Sequence, residues 1–225
     1  MAKNTLGGYM GHQVGKLGQA VGYVVDGVQL YRAYNAHVKD PRTELQLLQR
    51  AKLAMLGNMA STFKVATCIG FQKTRRRLNN YISTFTKANK DCVIGNTVDE
   101  LTIDFSALSL SEGSLVPAGY GSASSSVGGV VEVPLTDNSK MPGASASDKV
   151  YVVVYQPDTD VVFVGEPSTR SASKASVSVP EDWSGLDVHV YAFACAANDN
   201  SVGSVKVMSA GTCSPTSYLG TVTIV

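Results

Sequence analysis

Between residues 45 and 66 apolar side chains recur every three or four positions: Leu45, Leu48, Ala51, Met55, Met59, Phe63 and Ala66. That period predicts one apolar stripe on a helix about six turns long. Asp40-Pro41-Arg42-Thr43-Glu44 supplies its start, with Asp40 able to cap, Pro41 suited to the first turn and Glu44 at the positive end. A methionine-bearing stripe can be an adaptable binding face, but a core-facing helix is its commoner use. Gly70 is expected to end or break this helix. A second helical stretch is expected from about residue 72 to 88, carrying Leu78, Tyr81, Ile82 and Phe85.

From residue 99 the period drops to two. Leu101-Thr102-Ile103-Asp104-Phe105 alternates, and a Ser/Gly-rich loop is expected over 119–129. Further strands are expected at 129–135, 149–156, 160–164, 174–179, 187–195, 203–208 and 218–225. Gln156-Pro157-Asp158, Pro180-Glu181-Asp182 and Asn198-Asp199-Asn200 supply turns between them. The strongest strands, Tyr151–Tyr155 and Val188–Phe193, are expected to pair centrally, with the lone Trp183 near an edge or end. Seven or eight short strands without intervening helices predict an antiparallel immunoglobulin- or fibronectin-like β-sandwich.

The front of the chain follows neither pattern. Glycines stand at 8, 11, 15, 18 and 22, spaced to line one helix face. Five glycines would cost such a helix roughly 5 kcal/mol relative to alanine, so an extended arm along a neighbour is an equal alternative. It leads into Val21-Gly22-Tyr23-Val24-Val25, then Asp26-Gly27, then Val28-Gln29-Leu30-Tyr31-Arg32. Asp-Gly between two β-prone runs predicts a hairpin, because both turn positions favour positive φ. The fold class is therefore α+β: a glycine-rich arm and hairpin over 1–40, a helical region over 41–95 and a sandwich over 96–225.

Charge sharpens this division. Residues 1–95 hold 14 lysines and arginines against four acids, a net of +10, whereas 96–225 carry −9. Such a split suits a nucleic-acid-facing half, or two copies that attract one another. Charged residues are only 16% of the chain, which suits either a surface packed against neighbours or an ordinary β-rich domain. The beginning lacks the apolar run of a signal peptide, and no stretch reaches the ~20 apolar residues of a membrane span. Synthesis in a reducing cytoplasm with free thiols is expected, with virion association open and no membrane partner.

Candidate chemistry is sparse. Gly11 and Gly15-Lys16 invite comparison with a phosphate loop, but three residues separate the glycines and Leu17 follows the lysine. No Gly-x-Ser-x-Gly elbow occurs. His189 sits inside a strand, where packing is its ordinary role. Cys195 has neutral neighbours and reads as a small core residue. Asp158, Asp160, Glu181 and Asp182 occupy turns, and Cys68, Cys92, Cys195 and Cys213 lack zinc spacing. No cofactor, metal or catalytic residue is expected, and the chain reads as a non-enzyme. Lys73, Arg75, Arg76 and Arg77 form a basic patch, which reads as a phosphate contact, a solvated helix face or a partner for the acidic half of a neighbour.

Four segments together resemble an uncharacterised Bacteroidetes family defined by a domain of unknown function. They are Gly8, Gly11, Gly15 and Lys16; Val21-Gly22-Tyr23 with Arg32; Pro41-Arg42-Thr43-Glu44 with Gln46, Gln49 and Arg50; and Arg170-Ser171, Val179-Pro180 and His189–Phe193. The resemblance implies no activity, but similar proteins occur in gut bacteria and in phage or prophage settings. The leading expectation is a structural protein of a phage virion, at the capsid surface, neck or tail. It would form an oligomer with itself or with other assembly proteins through Gly8, Gly11, Gly15, Gly18, Gly22, Tyr23 and Arg32. The alternatives are a bacterial module binding a glycan or protein through Trp183 and Tyr120 at the sandwich loops, and a nonspecific DNA-binding protein.

Overall fold

In the computed structural model the described residues are 3–4, 12–25, 27–37, 40, 42–71, 81–197, 199–202, 205–208 and 213–225. They form a mixed α+β protein in two compact units, 1–46 and 47–225.

The first unit is a four-stranded antiparallel sheet, ordered β1 (Lys3–Asn4), β2 (Gln13–Leu17), β3 (Ala20–Val25) and β4 (Val28–Ala33). The expected hairpin is present, with Val25 opposite Val28 and Tyr23 opposite Leu30. Gly27 takes φ +77°, the left-handed conformation that the Asp-Gly pattern anticipates. Gly22 serves a different purpose. The β2–β3 ladder ends at Gly15–Gly22, and beyond it the Gln29 side-chain amide both accepts from Gln13 N and donates to Gln13 O, each at 2.8 Å. A Cβ on Gly22 would stand 2.4 Å from that carbonyl oxygen, so only glycine leaves room for this crossing.

The second unit begins within the first turn of α1 (Glu44–Thr62), followed by α2 (Lys64–Gly70) and α3 (Tyr81–Ala88). Phe63 N donates to Met59 O and Thr67 N to Phe63 O, so helical bonding continues across the α1–α2 junction. The predicted stripe needs two corrections. Leu45 is 74% exposed, and Leu56, off the stripe, is buried. The buried line thus starts at Leu48 and widens to Leu56, Met59, Ala60, Phe63 and Ala66. Gly70 is glycine because Leu110 O lies 2.2 Å from where its Cβ would be.

Four residues after α3 the chain turns to strands: β5 (Val93–Ile94), β6 (Thr102–Ile103), β7 (Gly119–Tyr120), β8 (Ser124–Val127), β9 (Val130–Thr136), β10 (Lys149–Gln156), β11 (Val161–Val164), β12 (Ser168–Thr169), β13 (Lys174–Ser178), β14 (Asp187–Cys195), β15 (Asp199–Val202), β16 (Val205–Met208) and β17 (Ser217–Thr223). The expected strand over 101–105 shortens to β6. Asp104 accepts hydrogen bonds from Ser106 N and Oγ, and this local chemistry turns the backbone into a 3₁₀ turn at Phe105–Ala107. The expected loop over 119–129 contains β7 and β8.

One sheet runs β11-β10-β14-β17, with β12 also on β10, and another runs β13-β9-β7, with β8 also on β9. Strands β10 and β14 pair centrally from Lys149–Cys195 to Tyr155–His189. Their alternation sorts side chains between two cores. Val150, Val152, Val154, Val188, Val190, Ala192 and Ala194 meet Val131, Val133, Ala175 and Val177 of the facing sheet. Val153, Tyr155, Tyr191, Phe193 and Cys195 meet Leu56, Met59, Phe63, Ala66 and Phe85 of the helices. Because both faces are apolar, these strands read as nearly continuous hydrophobic runs.

Candidate functional site

The β3–β4 hairpin brings several predicted contact residues to one surface. In its register Val21 faces Arg32, Tyr23 faces Leu30 and Val25 faces Val28, so these six share one side of the sheet. Tyr23, Leu30 and Val28 are 37%, 39% and 58% exposed. Val21, Tyr23 and Arg32 line a shallow hollow of about 370 Å³. Lys16, opposite Val21 in β2, sets its Nζ 3.8 Å over the ring of Tyr34. A cation on an aromatic face at the rim of an apolar strip is a stable surface arrangement. β4 ends the strand order, so its outer edge is unpaired among the described residues.

Gly15 lies within β2, opposite Gly22, at φ +117°, and Gly18 is in the β2–β3 turn at φ +60°. Gly8, Gly11, Lys73, Arg75, Arg76 and Arg77 lie outside the described residues.

Trp183 is 4% exposed and packs edge-on against Phe163, with ring centroids 5.2 Å apart. It fills the core between the sheets from a 3₁₀ turn at Glu181–Trp183 and presents no stacking face to solvent. Tyr120 is half-buried, and burial pushes its phenol up to about 12. His189 stacks on Phe105 at 4.6 Å, and its Nδ1 shares a 2.8 Å hydrogen bond with Tyr218 Oη.

Burial holds the His189 pKa below its ordinary 6.5, with Asp187 opposing. The unfolded chain therefore binds this proton more readily. The stability due to neutral His189 is complete above about pH 6.5 and falls as pH drops from there toward the lowered folded value. The denaturation midpoint of the wild-type protein should fall more between roughly pH 7.5 and 5.5 than that of His189→Gln. Parallel pH dependences would remove His189 as the cause.

Two arrangements have no counterpart in the sequence reading. Arg170 is fully buried beside Asp148, with Nε 3.0 Å from Oδ2. Its remaining nitrogens donate to Val116 O, Pro117 O and Asn138 Oδ1 at 2.7–3.2 Å. The other is Cys195 and Cys213, whose sulfurs lie 2.8 Å apart. A third feature, a cleft of about 610 Å³, is lined by Phe71, Ser83, Thr84, Lys87, Ser109 and Glu112 among others. Among the described residues no three His, Cys, Asp or Glu side chains gather as a metal site, and no helix is long and apolar enough to cross a membrane.

The fold and this surface define a mixed α+β protein: a small sheet with an open apolar face, and a unit in which helices and two sheets enclose two cores. Residues 11–208 match a family model described as a family of unknown function, DUF6266, and the chain belongs to that family. No curated protein and no solved structure matches it.

Proposed function

We propose that this chain is a non-catalytic structural protein that assembles through protein–protein contacts, as a component of a phage virion at the capsid surface, neck or tail. The observation that carries this reading is the open face of the hairpin, where Tyr23, Val28 and Leu30 lie exposed beside the unpaired edge of β4. Apolar side chains next to free backbone donors and acceptors suit strand addition by a neighbouring chain. The partner is another copy or another virion protein. In this reading residues 1–40 make the contacts, 41–95 anchor them, and 96–225 form an immunoglobulin-like sandwich that projects or docks. The opposed charges of the two halves, +10 and −9, favour contact between copies. The basic run at Lys73–Arg77 then faces acidic protein surface rather than DNA. The glycan-binding alternative loses its strongest contact, since Trp183 is inside the core.

Sedimentation of the full-length protein tests this directly. The wild type should form oligomers, whereas Leu30→Lys combined with Tyr23→Lys should stay folded and sediment as a monomer. An unchanged oligomer in that variant would remove the hairpin face from the assembly. Mass spectrometry of purified particles against soluble extract tests the virion assignment. Many copies per particle support it, and a purely soluble distribution overturns it.

A further inference from the structure

Cys213 sits directly opposite Cys195 in an isolated antiparallel bridge, at the end of β14. Residues opposed in such a bridge have Cα atoms about 4.5–5.5 Å apart. That interval lies inside the roughly 4.4–6.8 Å range that disulfides span. The side chains converge as well, with sulfurs 2.8 Å apart and both residues buried. The backbone around them is held on both sides: Ser214 N donates to Ala194 O, and Leu115 N donates to Cys213 O, at 2.8 and 3.1 Å. Ser214 Oγ also accepts from Ala194 N at 2.9 Å. The two thiols are thus fixed against each other by contacts that do not involve sulfur.

We propose that Cys195 and Cys213 are a cross-link site, which a small two-electron oxidant such as hydrogen peroxide converts to a disulfide without rearranging the fold. The bond would join the end of β14 to the start of the segment leading into β17. It would close the excursion that carries β15 and β16, 18 positions around. Either sulfur can donate in this contact; with the proton held on Cys195, its S–H favours the thiolate at Cys213 and the thiolate at Cys195 is disfavoured. Cys213 is therefore the attacking sulfur. Its thiolate takes one oxygen from peroxide, forming a sulfenic acid and releasing hydroxide. The Cys195 sulfur then displaces that oxygen, so that the S–S bond forms, the S–O bond breaks and the Cys195 proton leaves as water. Two thiols are oxidised and one peroxide is reduced. Cys68 and Cys92 have no such partner: the Cys92 sulfur donates to Ala107 O at 3.2 Å.

The test uses the full chain, purified with reductant, exposed to peroxide in native buffer, and then alkylated in denaturant with N-ethylmaleimide. A mass loss of about 2 Da, two adducts on the four cysteines, and a tryptic peptide joining Cys195 to Cys213 are expected. Trypsin cleaves after Lys206, between the two cysteines, so the joined peptide identifies the bond without ambiguity. Dithiothreitol should restore four adducts, and the oxidised protein should melt higher than the reduced one. Cys213→Ala should abolish the mass loss. Four adducts after peroxide, over-oxidation at either cysteine, or a cross-link through Cys68 or Cys92 would each overturn the proposal. So would a lower melting point on oxidation, because it would show that the bond distorts the fold.

Discussion

Replacing Arg170 with leucine should lower the unfolding free energy by about 3–5 kcal/mol, the cost of removing one partner from a buried ion pair. Leucine leaves Asp148, which is 2% exposed, with a charge that has lost its counterion inside the protein. It also takes the guanidinium donor from the Val116 carbonyl and from Asn138 Oδ1, whereas the Pro117 carbonyl keeps the Asn138 side-chain amide as a donor at 2.9 Å. A buried acceptor without a donor costs about 1–3 kcal/mol, so the ion pair is only part of the loss. Arg170→Lys separates the two contributions. Lysine keeps the charge near Asp148, but its single ammonium cannot copy a planar fork reaching four acceptors. It should recover part of the lost stability and no more. Urea or guanidinium denaturation of the three proteins checks this, and full recovery by lysine would mean that charge alone matters at this site.

Much of this architecture was legible in the sequence, for reasons that particular residues make plain. Tyr151–Tyr155 and Val188–Phe193 are unbroken β-prone runs, and such runs occupy the centre of a sheet covered on both sides. The hairpin followed from Asp26-Gly27, which also determines the side shared by Val21, Tyr23 and Leu30 once register is known. The division of β10 and β14 into small residues facing a sheet and large ones facing helices was not legible. Val152 and Val153 look alike in sequence, and only tertiary packing says which core receives each. The same holds for Leu45 and Leu56, because a helix-wide period cannot say where the covering sheet begins and ends.

Polar contacts were harder still. Arg170 meets Asp148 from 22 positions away and Val116 from 54, and no local motif announces pairs so distant. The Cys195–Cys213 pair is hidden for the same reason, since its spacing follows the length of the excursion between strands rather than any ligand geometry. Glycine carried a mixed signal. Gly22 looked like part of a small-residue face for a neighbour, whereas the space it leaves is already filled by Gln13 and Gln29 of its own sheet.

The helical layer and the sheets should lose stability together. Phe63 is fully buried between them, with ring centroids 6.1 Å from Phe85, 4.9 Å from Tyr155 and 6.2 Å from Tyr191. Phe63→Ala should cost about 3–5 kcal/mol, through lost transfer free energy and the cavity left among three rigid rings. Trp183 makes the coupling measurable, because the only tryptophan lies in the other core, on the far face of β10 and β14. If the second unit unfolds as one body, the midpoint seen by Trp183 fluorescence should shift as far as the midpoint seen by far-ultraviolet circular dichroism. A shift in the dichroism alone would mean that the helices detach from an intact pair of sheets. The expected joint shift follows from β10 and β14 themselves: each strand belongs to both cores, so a cavity on one face loosens the strands that the other face needs.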